Sequence, residues 1–496
     1  MSQSKKEVIA RKPRQKKQKH HKKRSAIISH YQFPEHAMDY DALSTVQKLQ
    51  RFGYLAYFVG GCVRDILLGK VPKDFDIVTS ARPQEVRQIF RNARLIGRRF
   101  KLAHLHFKNE KILEVATFRQ PPSQESIEDG LIVEDNEFGT PETDAYRRDF
   151  TVNALFYDPL SREIIDFTGG LADIEARCIR SIGDPNVRFR EDPIRMLRAI
   201  KFAARLNLNF DPKVQQAMVS ERHSLALAAR PRLQQELIRY LQGGATQHSF
   251  QLLEEYKFLG LLLPELVSWI DDSQTRKAQF AELLRCHDQS ISKLWKDASK
   301  EENILSLLFW PWVQALLLGE PDASLVLNDS ANDQTSLAHL DDAHSDDFQS
   351  KVKPSVKLDK ARTLKLMILR LLAPSATRLG MSIKTMHSLG RILSMLILHE
   401  QNRRHVLQGG ESTARGILKG GNTYESLLIL KTRLAMSLDS FKEWDDIEAL
   451  WQVQQNRIQA SSEQTPTRQK RTLIPSKPVI KPTERRRRKT SNRKRK

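Results

Sequence analysis

FVGGCVRDILLGKVPKDFDIVT, residues 58–79, is the stretch around which the rest of the chain is organised. An apolar strand (Tyr57, Phe58, Val59) runs into Gly60 and Gly61, a helix starts at once, and the next strand is expected to carry Asp74 and Asp76. Two glycines between a strand and a helix let backbone N–H groups approach a triphosphate closely, because no Cβ stands in the way and a helix N-terminus favours negative charge. Arg64 falls one turn into that helix, placed to neutralise phosphate. Asp74 and Asp76 are two residues apart, so on a strand they share one face while Phe75 and Ile77 take the other. Paired carboxylates there suit Mg²⁺, and two such ions would activate an attacking hydroxyl and clamp a leaving pyrophosphate.

In this order and spacing the stretch resembles the signature of the tRNA nucleotidyltransferase and bacterial poly(A) polymerase family, G-G-x-V-R-D-x-L-L-G followed by D-x-D; here it reads GGCVRDILLG and then DFD. A second segment, RRDFTVNALFYDP at residues 147–159, is similar to the family's R-R-D-[FL]-T-x-N-A-L. The resemblance implies that Asp149 joins Asp74 and Asp76 as a catalytic carboxylate, while Arg148 and Asn153 support the nucleotide. Glu114, the only carboxylate of the expected strand ILEVATFR (residues 112–119), is the competing third carboxylate, and the reading favours Asp149.

Residues 190–206, REDPIRMLRAIKFAARL, are expected to form one amphipathic helix with Pro193 in its first turn. Glu191, Arg195, Arg198 and Arg205 lie at offsets of four, seven and fourteen, hence on one face. Carboxylates and guanidinium forks on such a face offer both acceptors and donors to a base edge. The family's E-D-x-x-R element implies base reading by Asp192 and Arg195, with Arg198 beside them at the nucleotide. DFTGGLAD, residues 166–173, is a turn that recurs in the family, its glycines read as structural.

The net charge of +22 is concentrated at the ends: residues 1–25 carry +10 and residues 464–496 carry +13, so the chain between them is close to neutral. Such tails bury no apolar surface, are expected to be disordered when free, and suit a polyanion held by its backbone phosphates. Three scattered cysteines, Cys62, Cys178 and Cys286, fit neither a disulfide framework nor a zinc site and imply a reducing, cytoplasmic setting. No secretory signal is visible, and the longest apolar stretch, Ile304 to Leu318, is short of a membrane span and reads as a buried helix.

Along the chain, Tyr40–Arg51 and Pro83–Asn92 have helical spacing, LIGRRFKLAHLHF (residues 95–107) reads as one strand, and residues 120–144 read as a flexible polar loop. His104 and His106 alternate on that strand without a third ligand and are read as a solvated or sugar-facing edge. Helices are expected over much of residues 211–320, among them Arg232–Leu241, Ser249–Leu262 and Ala278–His287, and again from Ala361 to about Gln455. Residues 320–350, with eight acidic residues and no Lys or Arg, read as a solvated insertion.

The fold class expected is α+β: a small mixed α/β head of the polymerase-β-like palm type at residues 38–173, as the resemblance implies, then a helical neck at 174–245 and a helical body at 246–455. The activity expected is template-independent addition of AMP from ATP to RNA 3′ ends with two Mg²⁺. RNA is the expected partner, with the RNA-degradation machinery downstream and no membrane. The strand LIGRRFKLAHLHF and the RRDF spelling resemble the poly(A) polymerase branch, and a long basic tail suits an enzyme that holds many unrelated RNAs. CCA addition to tRNA is the alternative within the family. A noncatalytic RNA-binding scaffold is the alternative from another class.

Overall fold

A computed structural model describes residues 26–97, 102–120, 127–128, 131–132, 137–294, 301–318 and 360–398. Both basic tails, the acidic stretch at 320–350, most of the loop at 120–136 and the expected helices beyond residue 398 lie outside the described residues. Eight strands form one mixed sheet: β1 (Ile27–His30), β2 (Ala56–Val59), β3 (Asp76–Thr79), β4 (Ala93–Ile96), β5 (Leu102–His106), β6 (Ile112–Thr117), β7 (Leu155–Asp158) and β8 (Glu163–Asp166). Their order is β1-β8-β7-β2-β3-β6-β5-β4, and β3 with β6 is the parallel pair.

The centre of this sheet follows from its alternation. Ala56 and Phe58 of β2 belong to the large apolar core on one face, while Tyr57 and Val59 join Val78, Phe118 and Phe156 in a smaller cluster. All four β2 residues are therefore buried, as a strand covered on both faces requires. Helix α1 (Tyr40–Arg51) packs Ala42, Val46 and Leu49 inward, and Asp39 caps it by accepting the Ala42 N–H at 3.0 Å. Helix α2 (Gly61–Leu67) leaves β2 directly, α3 (Pro83–Ile89) begins at a proline, and α4 (Pro141–Arg147) and α5 (Gly170–Glu175) complete the head. At Gly170 a Cβ would lie 2.4 Å from the Thr151 carbonyl oxygen, so this glycine permits a backbone approach that no other residue allows.

Three local expectations are corrected. β3 begins at Asp76, because its pairing with β2 ends at Val59 and its pairing with β6 begins at Glu114; Asp74 lies on the connection before it. Residues 95–107 are two strands, not one: the chain leaves β4 at Gly97 with φ of 94° and returns antiparallel as β5. The helix expected over 190–206 is two, α6 (Pro185–Glu191) and α7 (Ile194–Leu206), parted at an extended Asp192 with φ of −147° and ψ of 91°. Pro193 causes the break, since its ring excludes the helical conformation for the preceding residue and it has no N–H to continue the ladder.

Beyond α7 and the short strand Asn209–Phe210, which pairs with Cys178–Ile179, the regular elements are helices: α8 (Pro212–Glu221), α9 (Arg230–Gln242), Thr246–Glu255, Leu259–Leu262, Pro264–Asp271, Gln274–Leu294, Glu301–Leu318, Lys360–Leu379 and residues 383–398. The segment expected as one helix from Ser249 to Leu262 turns at Lys257, whose φ is 62°. The large core continues from the head into these helices through Phe150, Phe189, Leu197 and Leu237, and the Tyr240 hydroxyl ties α9 to α7 by donating to the Leu197 carbonyl at 2.6 Å. His287 and Asp288 serve packing: His287 Nε2 meets the Leu241 carbonyl at 2.6 Å, and Asp288 accepts the N–H groups of Thr246 and Gln247 at 2.7 and 2.9 Å. Glu301–Leu318 is a largely buried helix around Trp310. No helix among the described residues is long and apolar enough to cross a membrane.

Candidate active site

The end of β2 is built for close approach. Gly60 has φ of 73°, its N–H donates to the Leu155 carbonyl at 3.1 Å, and a Cβ on it would lie 3.1 Å from Arg148 Nη1 and 3.4 Å from the Asn153 carbonyl oxygen. Glycine is thus required there by both backbone and neighbours. At Gly61 a Cβ would meet only Arg64 Nη2, at 3.8 Å, so the protein itself leaves the space in front of this residue open.

Across β3 and β6 the carboxylates gather. Asp76 and Glu114 are register partners, and Asp74 precedes them on the connection. The Asp76 carboxyl still reaches solvent, but the surrounding walls remove much of its hydration. That loss, with the nearby charges of Glu114 and Asp74, pushes its pKa up to about 6 against the opposing pull of Arg148. His104 on β5 stands opposite Glu114, with Nε2 3.5 Å from Oε1. Crowded hard oxygen donors of this kind are relieved by a cation, and Mg²⁺ is usually held by one or two carboxylates with water and phosphate completing the shell. Asp74, Asp76 and Glu114 fit that requirement, although among the described residues no three acidic, histidine or cysteine side chains form a preformed cage.

Asp149, favoured from the sequence over Glu114, lines the same cleft and is held by hydrogen bonds. Its carboxylate accepts from Arg198 Nε at 2.7 Å, Asn153 Nδ2 at 3.0 Å and the Phe150 N–H at 2.9 Å. Burial alone would raise its pKa, yet the Arg198 guanidinium and these hydrogen bonds hold it well below the usual carboxylate range. The geometry therefore sets Glu114 beside Asp76 and makes Asp149 the anchor for Arg198.

Arg64, expected to neutralise phosphate, lines the cleft with its guanidinium bonded to neighbouring side chains. It is 3% exposed, its Nη1 donates to Asn153 Oδ1 at 2.5 Å and its Nε to Asp65 Oδ1 at 2.9 Å. Arg205 closes the group by donating to Asp65 Oδ2 at 2.6 Å. The arginine face of α7 is thus turned onto the head: Arg198 meets Asp149, Arg205 meets Asp65, and Arg188 of α6 donates to the carbonyls of Arg147 and Arg148 at 2.9 Å. Arg148 in turn holds Asp144 at 2.8 Å and the Asn153 carbonyl at 3.3 Å. Asp192, at the joint, faces Arg232 of α9, and Arg195 Nη1 donates to the Arg188 carbonyl at 3.1 Å.

These walls enclose a cleft of about 800 Å³, and all eleven residues nominated from the sequence line it: Gly60, Gly61, Arg64, Asp74, Asp76, Arg148, Asp149, Asn153, Asp192, Arg195 and Arg198. Asp74, Asp76 and Glu114 line it together with ion-paired carboxylates and guanidinium groups such as Asp149 with Arg198 and Asp192 with Arg232. A second cavity, of about 310 Å³ among Phe250, Leu259, Ile270, Phe280 and Leu284, is mostly apolar, and Lys277 and Glu254 on its lining pair with each other. The larger cleft, lined by charged groups of both signs, is the candidate site.

The sequence reading passed over Lys201, Arg232, Glu236 and Arg239. Glu236 is buried and accepts from Lys201 at 2.6 Å and Arg239 at 2.5 Å; burial lowers the Lys201 ammonium to about 8, with Glu236 opposing the fall. The signal was present in the sequence: Arg232, Glu236 and Arg239 are spaced at four and seven, one face of α9.

Residues 56–180 match the family described as Poly A polymerase head domain, and residues 207–270 match the one described as Probable RNA and SrmB- binding site of polymerase A. The chain is 42% identical over 263 residues to the poly(A) polymerase I of Haemophilus influenzae, covering 51% of this chain and 58% of that one. It is 35% identical over 213 residues to the CCA-adding enzyme of Lactobacillus helveticus, covering 42% and 52% respectively. The matching stretch thus spans little more than half the length of these relatives. Among solved structures, the CCA-adding enzyme of Bacillus stearothermophilus in complex with CTP aligns at 25% identity over 86% of this chain and 100% of that one, with a TM-score of 0.42.

Proposed function

Residues 56–180 being a head domain of the family that holds poly(A) polymerases and CCA-adding enzymes, we propose that this chain transfers AMP from ATP to RNA 3′ ends without a template. The observation that carries the proposal is the cleft itself, which Asp74, Asp76 and Glu114 line together with Gly60, Gly61 and several arginines. In this reading the turn admits the triphosphate against backbone N–H groups, and Arg148 and Arg195 supply positive charge along it. Arg64 and Arg198 position the wall: Arg64 fixes Asn153, and Arg198 fixes Asp149. Asp74, Asp76 and Glu114 would hold two Mg²⁺. When bound, Mg²⁺ lowers the pKa of an attacking hydroxyl and neutralises charge on the leaving pyrophosphate.

Asp192 and Arg195, on the lining of the same cleft, offer one acceptor and one donor array, which suits the amino group and ring nitrogen of adenine. The helical segments after residue 174 serve as neck and RNA-holding body, and the basic tails grip RNA backbones in a salt-dependent manner. Tailed RNA would then pass to the degradation machinery. The similarity to the CCA-adding enzyme of Lactobacillus helveticus favours a second reading, in which the acceptor is a tRNA end and CTP is used before ATP.

The test is 3′ extension of a labelled single-stranded RNA by the full chain with ATP and Mg²⁺. Extension is expected for the native chain and loss of it for Asp76→Asn with folding intact. Equal extension by both would refute the reading.

A further inference from the structure

Asp76, Glu114, His104 and Arg94 are successive register partners across β3, β6, β5 and β4. Cross-strand partners share one face of a sheet, so the four side chains form a row that starts at the carboxylates and ends on the edge strand. At about 4.8 Å per strand, Arg94 lies about 10 Å from Glu114 and about 14 Å from Asp76. The opposite face of these strands is filled, because Ala103, Leu105, Leu113 and Val115 join Val86 of α3 in the large core. The face that bears the row reaches solvent, and Ile96 and Ile112, beside Arg94 and Glu114 on it, are 43% and 46% exposed. Arg94 is exposed and, among the described residues, has no ion-pair partner, whereas Arg148, Arg198 and Arg205 are each held by a carboxylate. From Val86 to Gly97 the chain carries Arg87, Arg91 and Arg94 and no carboxylate.

The groups read above as nucleotide-binding stand on the other flank of β3. Gly60 and Gly61 follow β2, Asp149 and Asn153 precede β7, and α6 and α7 are bonded to that same segment through Arg188 and Arg198. Sheet order puts β2 and β7 on one side of β3, and β6, β5 and β4 on the other. In an in-line displacement the attacking oxygen and the leaving pyrophosphate lie on opposite sides of the transferred phosphorus. With the triphosphate at Gly60-Gly61, attack comes from the side of β6. We propose that the face from Glu114 to Arg94 is the track on which the 3′-terminal segment of the acceptor RNA lies, with Arg94 on a backbone phosphate upstream of the reacting hydroxyl; this rests on the nucleotidyl transfer proposed above. A single strand suits this surface, since the phosphate meets a guanidinium that no carboxylate holds and the exposed isoleucines offer apolar area to bases. A phosphate contact positions the strand without reading its sequence.

The test uses the full chain, Arg94→Gln, Arg94→Glu and, as a charge-matched control, Arg87→Glu on α3, which covers the opposite face. KM is measured for a labelled single-stranded RNA at saturating ATP and for ATP at saturating RNA. Arg94→Gln is expected to raise the RNA KM by about threefold and Arg94→Glu by about tenfold or more, with the ATP KM within about twofold of native and Arg87→Glu like native. Loss of one phosphate contact in Arg94→Gln should also reduce the slope of log KM for RNA against log salt by about 0.7. An RNA KM for Arg94→Glu within about twofold of native, or an equal rise in Arg87→Glu, would overturn the track. Independently of turnover, an RNA with a photoreactive thiouridine next to its 3′ end is crosslinked to the native chain and the adducts are mapped. Adducts on β4 or β5 are expected, and adducts confined to other parts of the chain would overturn the track. If the native chain transfers no AMP, the proposed function fails, while the crosslink still decides the surface.

Discussion

Asp76 and Glu114 stand opposite each other in register on the parallel strands β3 and β6, and the strain of that placement shows in an Asp76 carboxyl whose pKa is pushed up to about 6. Lost hydration comes first among the causes, then Glu114. The fold therefore holds like charges together at a cost to its own stability, the condition in which a bound cation is most favourable.

That cost has a pH signature. A carboxyl raised above its unfolded value near 3.8 binds more protons folded than unfolded between the two values, so stability falls as the pH rises through that window. Asp76→Asn removes the charge and should stabilise the metal-free protein by about 1 kcal/mol above pH 6, a size already reduced for solvent screening. The gain should vanish near pH 4. Urea unfolding of both proteins at pH 7.5 and pH 4 checks this, and a pH-independent difference would count against the carboxylate cluster.

Asp149 behaves in the opposite sense. Its stabilising ion pair is present above the usual carboxylate pKa and is lost as the pH falls below it. Asp149→Asn and Arg198→Met should each destabilise by about 3 kcal/mol at pH 7. The double variant should cost clearly less than the sum. Additive losses in urea unfolding would show that the 2.7 Å contact carries no coupling.

Glu114→Gln should leave stability nearly unchanged but reduce AMP transfer by about a hundredfold or more, and raise the Mg²⁺ concentration needed for half-maximal activity. Steady-state rates across an Mg²⁺ titration measure both. Full activity with an unaltered Mg²⁺ requirement would favour Asp149 as the third carboxylate.

Gly60→Ala combines a positive φ with a Cβ 3.1 Å from Arg148 Nη1. A backbone penalty of about 1–3 kcal/mol is expected, along with a displaced Arg148 and a weakened hold on nucleotide. Thermal unfolding and ATP binding should therefore fall together; unchanged values in both would remove Gly60 from the site.

Much of this site could be read from the chain because its core is local. The Gly60-Gly61 turn, the α2 helix and the Asp74–Asp76 pair follow one another along one strand, one helix and the connection into the next strand, where periodicity and glycine placement carry the information. The neighbour of Asp76 could not be read in that way. That Glu114 is the register partner of Asp76 depends on β3 pairing parallel with β6, a relation absent from local spacing. The arginine face of α7 looked like a base-reading surface, yet Arg198 and Arg205 reach back 49 and 140 residues to Asp149 and Asp65. The split at Asp192 was legible in principle, since Pro193 restricts the residue before it. What that split allows, the pairing of Asp192 with Arg232, was not.

The most direct test of the central claim incubates the purified full chain with Mg²⁺ and each of the four nucleoside triphosphates separately, on a generic single-stranded RNA and on a tRNA lacking its terminal CCA. The account predicts long extension of the generic RNA with ATP alone. Extension confined to the tRNA and ending once CTP and ATP have been added would contradict it and assign the chain to CCA addition.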